Sequence, residues 1–182
     1  ALAAPAVLLF SPVIVSLGQQ RGLSEGAAHL CVAVGSLGSA AGRLLMPLAS
    51  DRIGRRRTDI LLLWGLCGLS AAFAFARGGW VVACYSALTF CYSGEAALLP
   101  ALCTDRFGLP HAGVNYGFLA LGMSAGSLGF PWLARLWGLE AGRHWLAAGA
   151  AALGALCLTA LPETLPQPGR PAAKKAEGPG RR

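Results

Sequence analysis

Polar positions in this chain come in short bursts between long apolar runs, and the runs are spaced like membrane spans rather than like the faces of soluble helices. A spanning helix needs about 20 predominantly apolar residues at a rise of about 1.5 Å each. Six stretches meet or approach that length: Ala1 to Gly18, about Ala27 to Ser50, about Asp59 to Ala76, about Trp80 to Cys103, about Val114 to Trp137 and about Trp145 to Leu161. The first holds Pro5 and Pro12, which membrane helices tolerate where neighbours satisfy the freed carbonyls. The pattern predicts an all-α membrane protein with six transmembrane helices over residues 1–161. From Pro162 onward Pro, Gly, Lys and Arg dominate and apolar periodicity ends, so residues 162–182 are expected to form a disordered basic tail. An apolar run that starts at the first residue, with no Met and no basic flank, reads as a helix cut from a longer chain and not as a signal peptide.

The densest polar burst lies in the stretch Gly42 to Arg57, GRLLMPLASDRIGRRR, between the second and third runs. It predicts a tight hairpin in which Gly54 supplies a positive φ at the end of one helix, while Asp51 and Arg52 bond neighbouring helix ends. Sorted by side, Arg43, Arg52, Arg55, Arg56, Arg57, Arg106 and the tail cations fall together, against Arg21, Arg77, Arg135 and Arg143 opposite. That asymmetry places the hairpin and the C-terminus in the cytoplasm. Trp80, Trp137 and Trp145 fall near predicted helix ends, where interfacial anchors sit.

Composition agrees with this layout. Of 182 residues 55% are hydrophobic and 13% charged, with mean hydropathy +0.56, so a soluble core is the poorer reading. The net charge of +7 resides in short loops and the tail, where it reports topology, so no nucleic-acid partner is expected and membrane lipids are the surroundings. The six Cys lie in apolar runs without a CxxC, which points to neither a disulfide framework nor a metal site. No nucleophile and base pairing, phosphate loop or cofactor motif is present, so no enzymatic chemistry and no cofactor are expected. Small residues, Gly35, Gly38, Ser39 and Gly42 in the second helix and Gly117, Gly122, Gly126 and Gly129 in the fifth, predict close helix contacts.

Ionisable groups inside such helices are the functional candidates, because a charge near the bilayer centre costs at least about 2.5–3.5 kcal/mol. Arg43 lies seven residues before Ser50, roughly 10 Å from the helix end. With His29, Ser36 and Ser39 at helical spacing, it forms a polar face suited to an aqueous cavity. Its planar guanidinium fits a carboxylate, pointing to a small organic anion; holding the hairpin by bonds to helix-end carbonyls is the other role open to it. Glu95, with Leu88, Cys91 and Tyr92 on its face, is either a proton-coupling group or a fixed structural bond to a neighbouring helix. Tyr85, Thr89, Tyr92, Asn115 and Tyr116 are further polar groups within reach of a ligand.

Pro47-Leu-Ala-Ser-Asp51-Arg52-Ile-Gly54-Arg55-Arg56 resembles the loop motif G-x-x-x-D-R-x-G-R-R of the major facilitator superfamily, in the copy between its eighth and ninth helices, with Pro47 in place of the leading Gly. Arg21-Gly-Leu-Ser-Glu-Gly-Ala-Ala, Gly42-Arg43, Tyr92-Ser-Gly-Glu-Ala-Ala-Leu-Leu-Pro100-Ala, Arg106-Phe-Gly and Asn115-Tyr-Gly-Phe together look like its monocarboxylate transporter and oxalate/formate antiporter branch. The resemblance implies helices seven to twelve of a twelve-helix carrier: the C-terminal half of a secondary active transporter working by alternating access, with the substrate site between two halves. The missing N-terminal six-helix half is then a partner. Arg43 matches an Arg implicated in binding the substrate carboxylate, with Ser36, Ser39, Tyr92 and Asn115 around it. Asp51, Arg52, Gly54, Arg55 and Arg56 are the conformational latch. The dianion carriers' Lys on the eleventh helix has no counterpart, since both Lys lie in the tail and Met123 falls near that position, which favours a monocarboxylate. Ser39 stands where monocarboxylate carriers often have an acid, which moves proton coupling to Glu95 or to the missing half. Two alternatives stand beside this reading: a carrier of another solute such as a sugar, hinted at by Gln19-Gln20 and Pro162-Glu-Thr, and a non-transporting six-helix remnant acting as an interaction subunit.

Overall fold

A computed structural model describes residues 2–136, 138 and 142–160; the expected tail and the Trp137 anchor lie outside the described residues. The described residues are helical throughout, without a strand: α1 (Pro5–Leu8), a 3₁₀ turn (Ser11–Val13), α2 (Ile14–Gln20), α3 (Glu25–Ile53), α4 (Arg55–Phe75), α5 (Gly79–Phe107), α6 (Ala112–Leu136) and α7 (Arg143–Ala160). By length and composition α3, α4, α5 and α6 can cross a membrane, whereas Pro5–Gln20 is a shorter apolar segment. The 18-residue α7, with Arg143 and His144 in its first turn, is not among the four.

The first expected span is not one helix. Pro12 lacks an N–H and its ring crowds the carbonyl four residues back, so the chain tightens into the Ser11–Val13 turn and restarts at Ile14. Elsewhere the helices run longer than hydropathy alone shows. The Ser24 side chain accepts from the Ala27 N–H at 3.4 Å and Glu25 occupies the first turn, so α3 begins at Glu25. It ends at Gly54, whose φ of +101° lets α4 start at once with Arg55. The polar run Arg55–Asp59, which hydropathy assigns mostly to a loop, is the first turn of α4.

In the bundle α5 packs against α3 on one side and α4 on the other, and α4 packs against α7. The core joins Phe10 and Ile14 to Leu66, Phe73, Leu88, Ala147, Ala151 and Ala155. Backbones of α3 and α5 approach so closely that a Cβ on Gly35 would meet the Tyr85 ring at 2.6 Å and one on Gly38 the Ser86 carbonyl at 2.6 Å; at Gly42 it would overlap the Phe90 carbonyl. In lipid such proximity supplies the association energy that water would otherwise drive. Large apolar side chains such as Leu37, Leu44, Phe75, Trp80 and Leu128 stay exposed, as a lipid-facing surface allows.

Candidate functional site

The α3–α5 seam sets one wall of the site. Thr89 donates to the Gly35 carbonyl at 2.8 Å, Ser86 to the Val34 carbonyl at 3.2 Å, and the Ser39 and Ser93 hydroxyls pair at 2.6 Å. Tyr85 is buried against Gly35. Tyr85 and Thr89, read from sequence as ligand-reaching, are therefore seam residues.

On the outer side of that seam Ser36, Ser39, Ala40, Arg43 and Leu44 line an open groove of about 400 Å³. Ser36 and Ser39 stand seven and four residues before Arg43, which brings all three to one face of α3. Ser36 is exposed and donates to the Val32 carbonyl at 2.8 Å. Arg43 is exposed, and among the described residues no ion pair or hydrogen bond holds it. Among the described residues it makes none of the helix-end bonds that a hairpin anchor would make. Tyr92, half-buried on α5, lies within electrostatic reach of Arg43 and of Glu95. Asn115 sits in the first turn of α6, half-buried, and is not among the residues lining the groove.

Glu95 is buried on α5, at 6% exposure, and its electrostatic neighbours include Asp59 of α4, itself at 4%. Asp59 was read from sequence only as a helix boundary. Its signal was present: Leu62, Leu63 and Leu66 follow at three, four and seven residues, all buried, so Asp59 continues an inward stripe.

At the hairpin Arg55 reaches both carboxylate oxygens of Asp105 on α5, at 2.8 and 2.9 Å, and stands 3.7 Å from Asp51. Arg56 donates to the Leu158 and Thr159 carbonyls at 3.0 and 3.1 Å, satisfying the end of α7. The helix-end bonding expected of Asp51 and Arg52 is thus made by Arg56; Asp51 and Arg52 are exposed on the last turn of α3. At the opposite end Arg21 donates to the Phe73 and Ala76 carbonyls of the α4 terminus and meets His144 Nε2 of α7 at 3.0 Å. The His144 ring stacks on Phe10 at 4.9 Å. Burial, then the charges of Arg143 and Arg77, lowers the pKa of Arg21, which stays charged all the same. Sequence reading missed this clasp, because nothing local marks two residues 123 positions apart as partners.

A family model for the Major Facilitator Superfamily matches residues 1–181, and the chain belongs to that family. With the four apolar helices, this makes it an integral, multi-pass membrane protein. It is also similar to a protein of Escherichia coli (strain K12) described as an uncharacterized MFS-type transporter, YhjX, at 29% identity over 123 residues. That match covers 62% of this chain and 30% of the relative, so the chain spans less than a third of the relative's length.

Proposed function

We propose that this member of the Major Facilitator Superfamily is the C-terminal six-helix half of a secondary active transporter for small organic anions, monocarboxylates in the first place, working by alternating access. Arg43 is the carboxylate-binding residue, Ser36 and Ser39 border it, Tyr92 backs it, and Asn115 contributes from α6 as the cavity closes. Glu95 is the proton-coupling group. The hairpin and C-terminus face the cytoplasm, and a separate N-terminal six-helix half covers the groove. The observation that supports this reading is an arginine deep in an apolar helix, open to a groove bordered by two serines and without a partner among the described residues. A guanidinium so placed is costly in lipid and useful when a carboxylate arrives.

Assembled with the complementary half, an Arg43→Lys carrier keeps the charge and loses the two-pronged geometry. Carboxylate binding is expected to weaken by about 1.5–3 kcal/mol. Uptake of labelled lactate, pyruvate and formate at equal surface expression reads the change. Unaltered apparent affinity for every transported acid removes Arg43 from the site. Asp51, Arg52, Gly54, Arg55 and Arg56 form the latch in this proposal: Asp51→Asn is expected to shift cysteine accessibility between the two membrane faces with substrate affinity retained, since it alters the populations of states and not the ligand contacts.

A further inference from the structure

Two buried acids share the α4–α5 seam, and neither has a basic side chain paired with it among the described residues. Asp59 is enclosed with Leu62, Leu63 and Leu66 along its own helix face, and its Oδ1 is buried with no hydrogen-bond partner among the described residues. Glu95 lies between Leu88 and Leu98 on the facing helix, and the charge of Asp59 acts on it. The other groups that act there, among the described residues, are the Tyr92 phenol beside Glu95 and Arg43 beyond it.

The Arg55–Asp105 pair sets the register of these antiparallel helices. Asp59 is four residues inside that pair on α4 and Glu95 ten residues inside it on α5, which at the helical rise places them about 6 and about 15 Å from the hairpin level. The two carboxyls are therefore successive along the seam, about 9 Å apart in depth. An orphaned oxygen on an enclosed acid calls for a positive ligand. A metal ion needs more donors than this, and no group of three or more His, Cys, Asp or Glu suited to a metal occurs among the described residues. A proton fits: it neutralises an isolated buried carboxylate and requires no further ligands.

We propose that Asp59 and Glu95 form a two-station proton path along the α4–α5 seam, Asp59 exchanging with water on the hairpin side and Glu95 holding the proton deeper, beside Tyr92 and the Arg43 groove. At the first station hydronium gives its proton to the Asp59 carboxylate and leaves as water. At the second the Asp59 acid gives its proton to a chain of water molecules entering the seam, which delivers a proton to the Glu95 carboxylate, and Asp59 returns to its anion. The path extends the coupling role given above to Glu95, and rests on that reading for its use in transport.

The test reads the proton directly. The intact protein in lipid is treated at neutral pH with dicyclohexylcarbodiimide, which adds to a protonated carboxyl in apolar surroundings and leaves an N-acylurea that mass spectrometry assigns to the peptide. Label on both Asp59 and Glu95, declining as pH is raised, is expected; the absence of label on either acid overturns the path. This arm uses the unaltered chain, so it decides the matter even where a variant does not fold. Infrared spectra in heavy water then follow deuteration of the Glu95 carboxyl, identified by its loss in Glu95→Gln. Asp59→Asn is expected to slow that exchange at least tenfold and Asp59→Glu to restore it, whereas an unchanged rate in Asp59→Asn shows that Glu95 exchanges without Asp59 and overturns the first station. Neither readout involves substrate, so unaltered uptake in Arg43→Lys together with label on both acids would discard the carboxylate clamp and keep the proton path.

Discussion

The glycines of α3 and the glycines of α6 look alike in sequence and do opposite things in the structure. Each helix carries a stripe of small residues a turn apart. Along α3 the stripe is filled by α5: the Tyr85 ring, the Ser86 backbone and the Phe90 carbonyl occupy the space where side chains would stand at Gly35, Gly38 and Gly42. Along α6 a Cβ added at Gly117, Gly122 or Gly129 would meet nothing within 4 Å, and the helix buries only Gly126 and Ala134. A small-residue stripe thus states that a backbone can come close, not which one does. In α3 the approaching backbone belongs to this chain; in α6, among the described residues, the face at Gly117, Gly122 and Gly129 is open.

The sharpest way to break this comparison is to add one methyl group to each stripe. Gly42→Ala drives a Cβ into a backbone carbonyl that no rotamer change can move, so a loss of about 1–3 kcal/mol is expected, read as a lower unfolding midpoint in detergent. Full stability in that variant would mean the α3–α5 seam is looser than described. Next comes Ser93→Ala, which deletes the partner of Ser39 and leaves its hydroxyl beside the seam; about 0.5–1.5 kcal/mol is expected, with the groove residues Ser36 and Arg43 in place. Gly122→Ala and Gly129→Ala are expected to change the stability of the chain by less than about 0.5 kcal/mol. The same two substitutions should weaken co-purification with the complementary half, and a large stability loss in either would place an intramolecular neighbour against α6. A last measurement sharpens the contrast at the level of function: residues 1–182 alone in liposomes are expected to show no anion flux under a proton gradient. Saturable, Arg43-dependent uptake by the chain alone would mean that two copies supply both walls of the cavity.

How much of this was legible beforehand depended on whether the signal was local. Long apolar runs, the Gly54 turn and the cationic hairpin are properties of neighbouring residues, and α3 to α6 follow them to within a few positions. Arg43 could be singled out as a candidate because its depth and its spacing from Ser36 and Ser39 lie within one helix. Asp59 was hidden by the three arginines before it, which make residues 55–58 read as loop and leave Asp59 as a mere helix end until the helix is seen to start at Arg55. The interruption at Pro12 was readable as tolerance of proline but not as a break, since the outcome turns on whether neighbours satisfy the freed carbonyls. Whether a glycine is filled by a neighbour, and which arginine caps which helix, are facts about other parts of the fold, and no window of sequence contains them.

The Arg21 clasp has a consequence for the order in which the molecule is assembled. Its carbonyl acceptors, Phe73 and Ala76, follow it by 52 and 55 residues, whereas its imidazole partner follows by 123. As the chain leaves the ribosome the α4 acceptors are made first, and the whole of α5 and α6 must follow before His144 is available. The clasp opposite the hairpin is therefore complete only once α7 is present, and a polypeptide stalled before α7 would lack the His144 ring that covers Phe10 and Phe73.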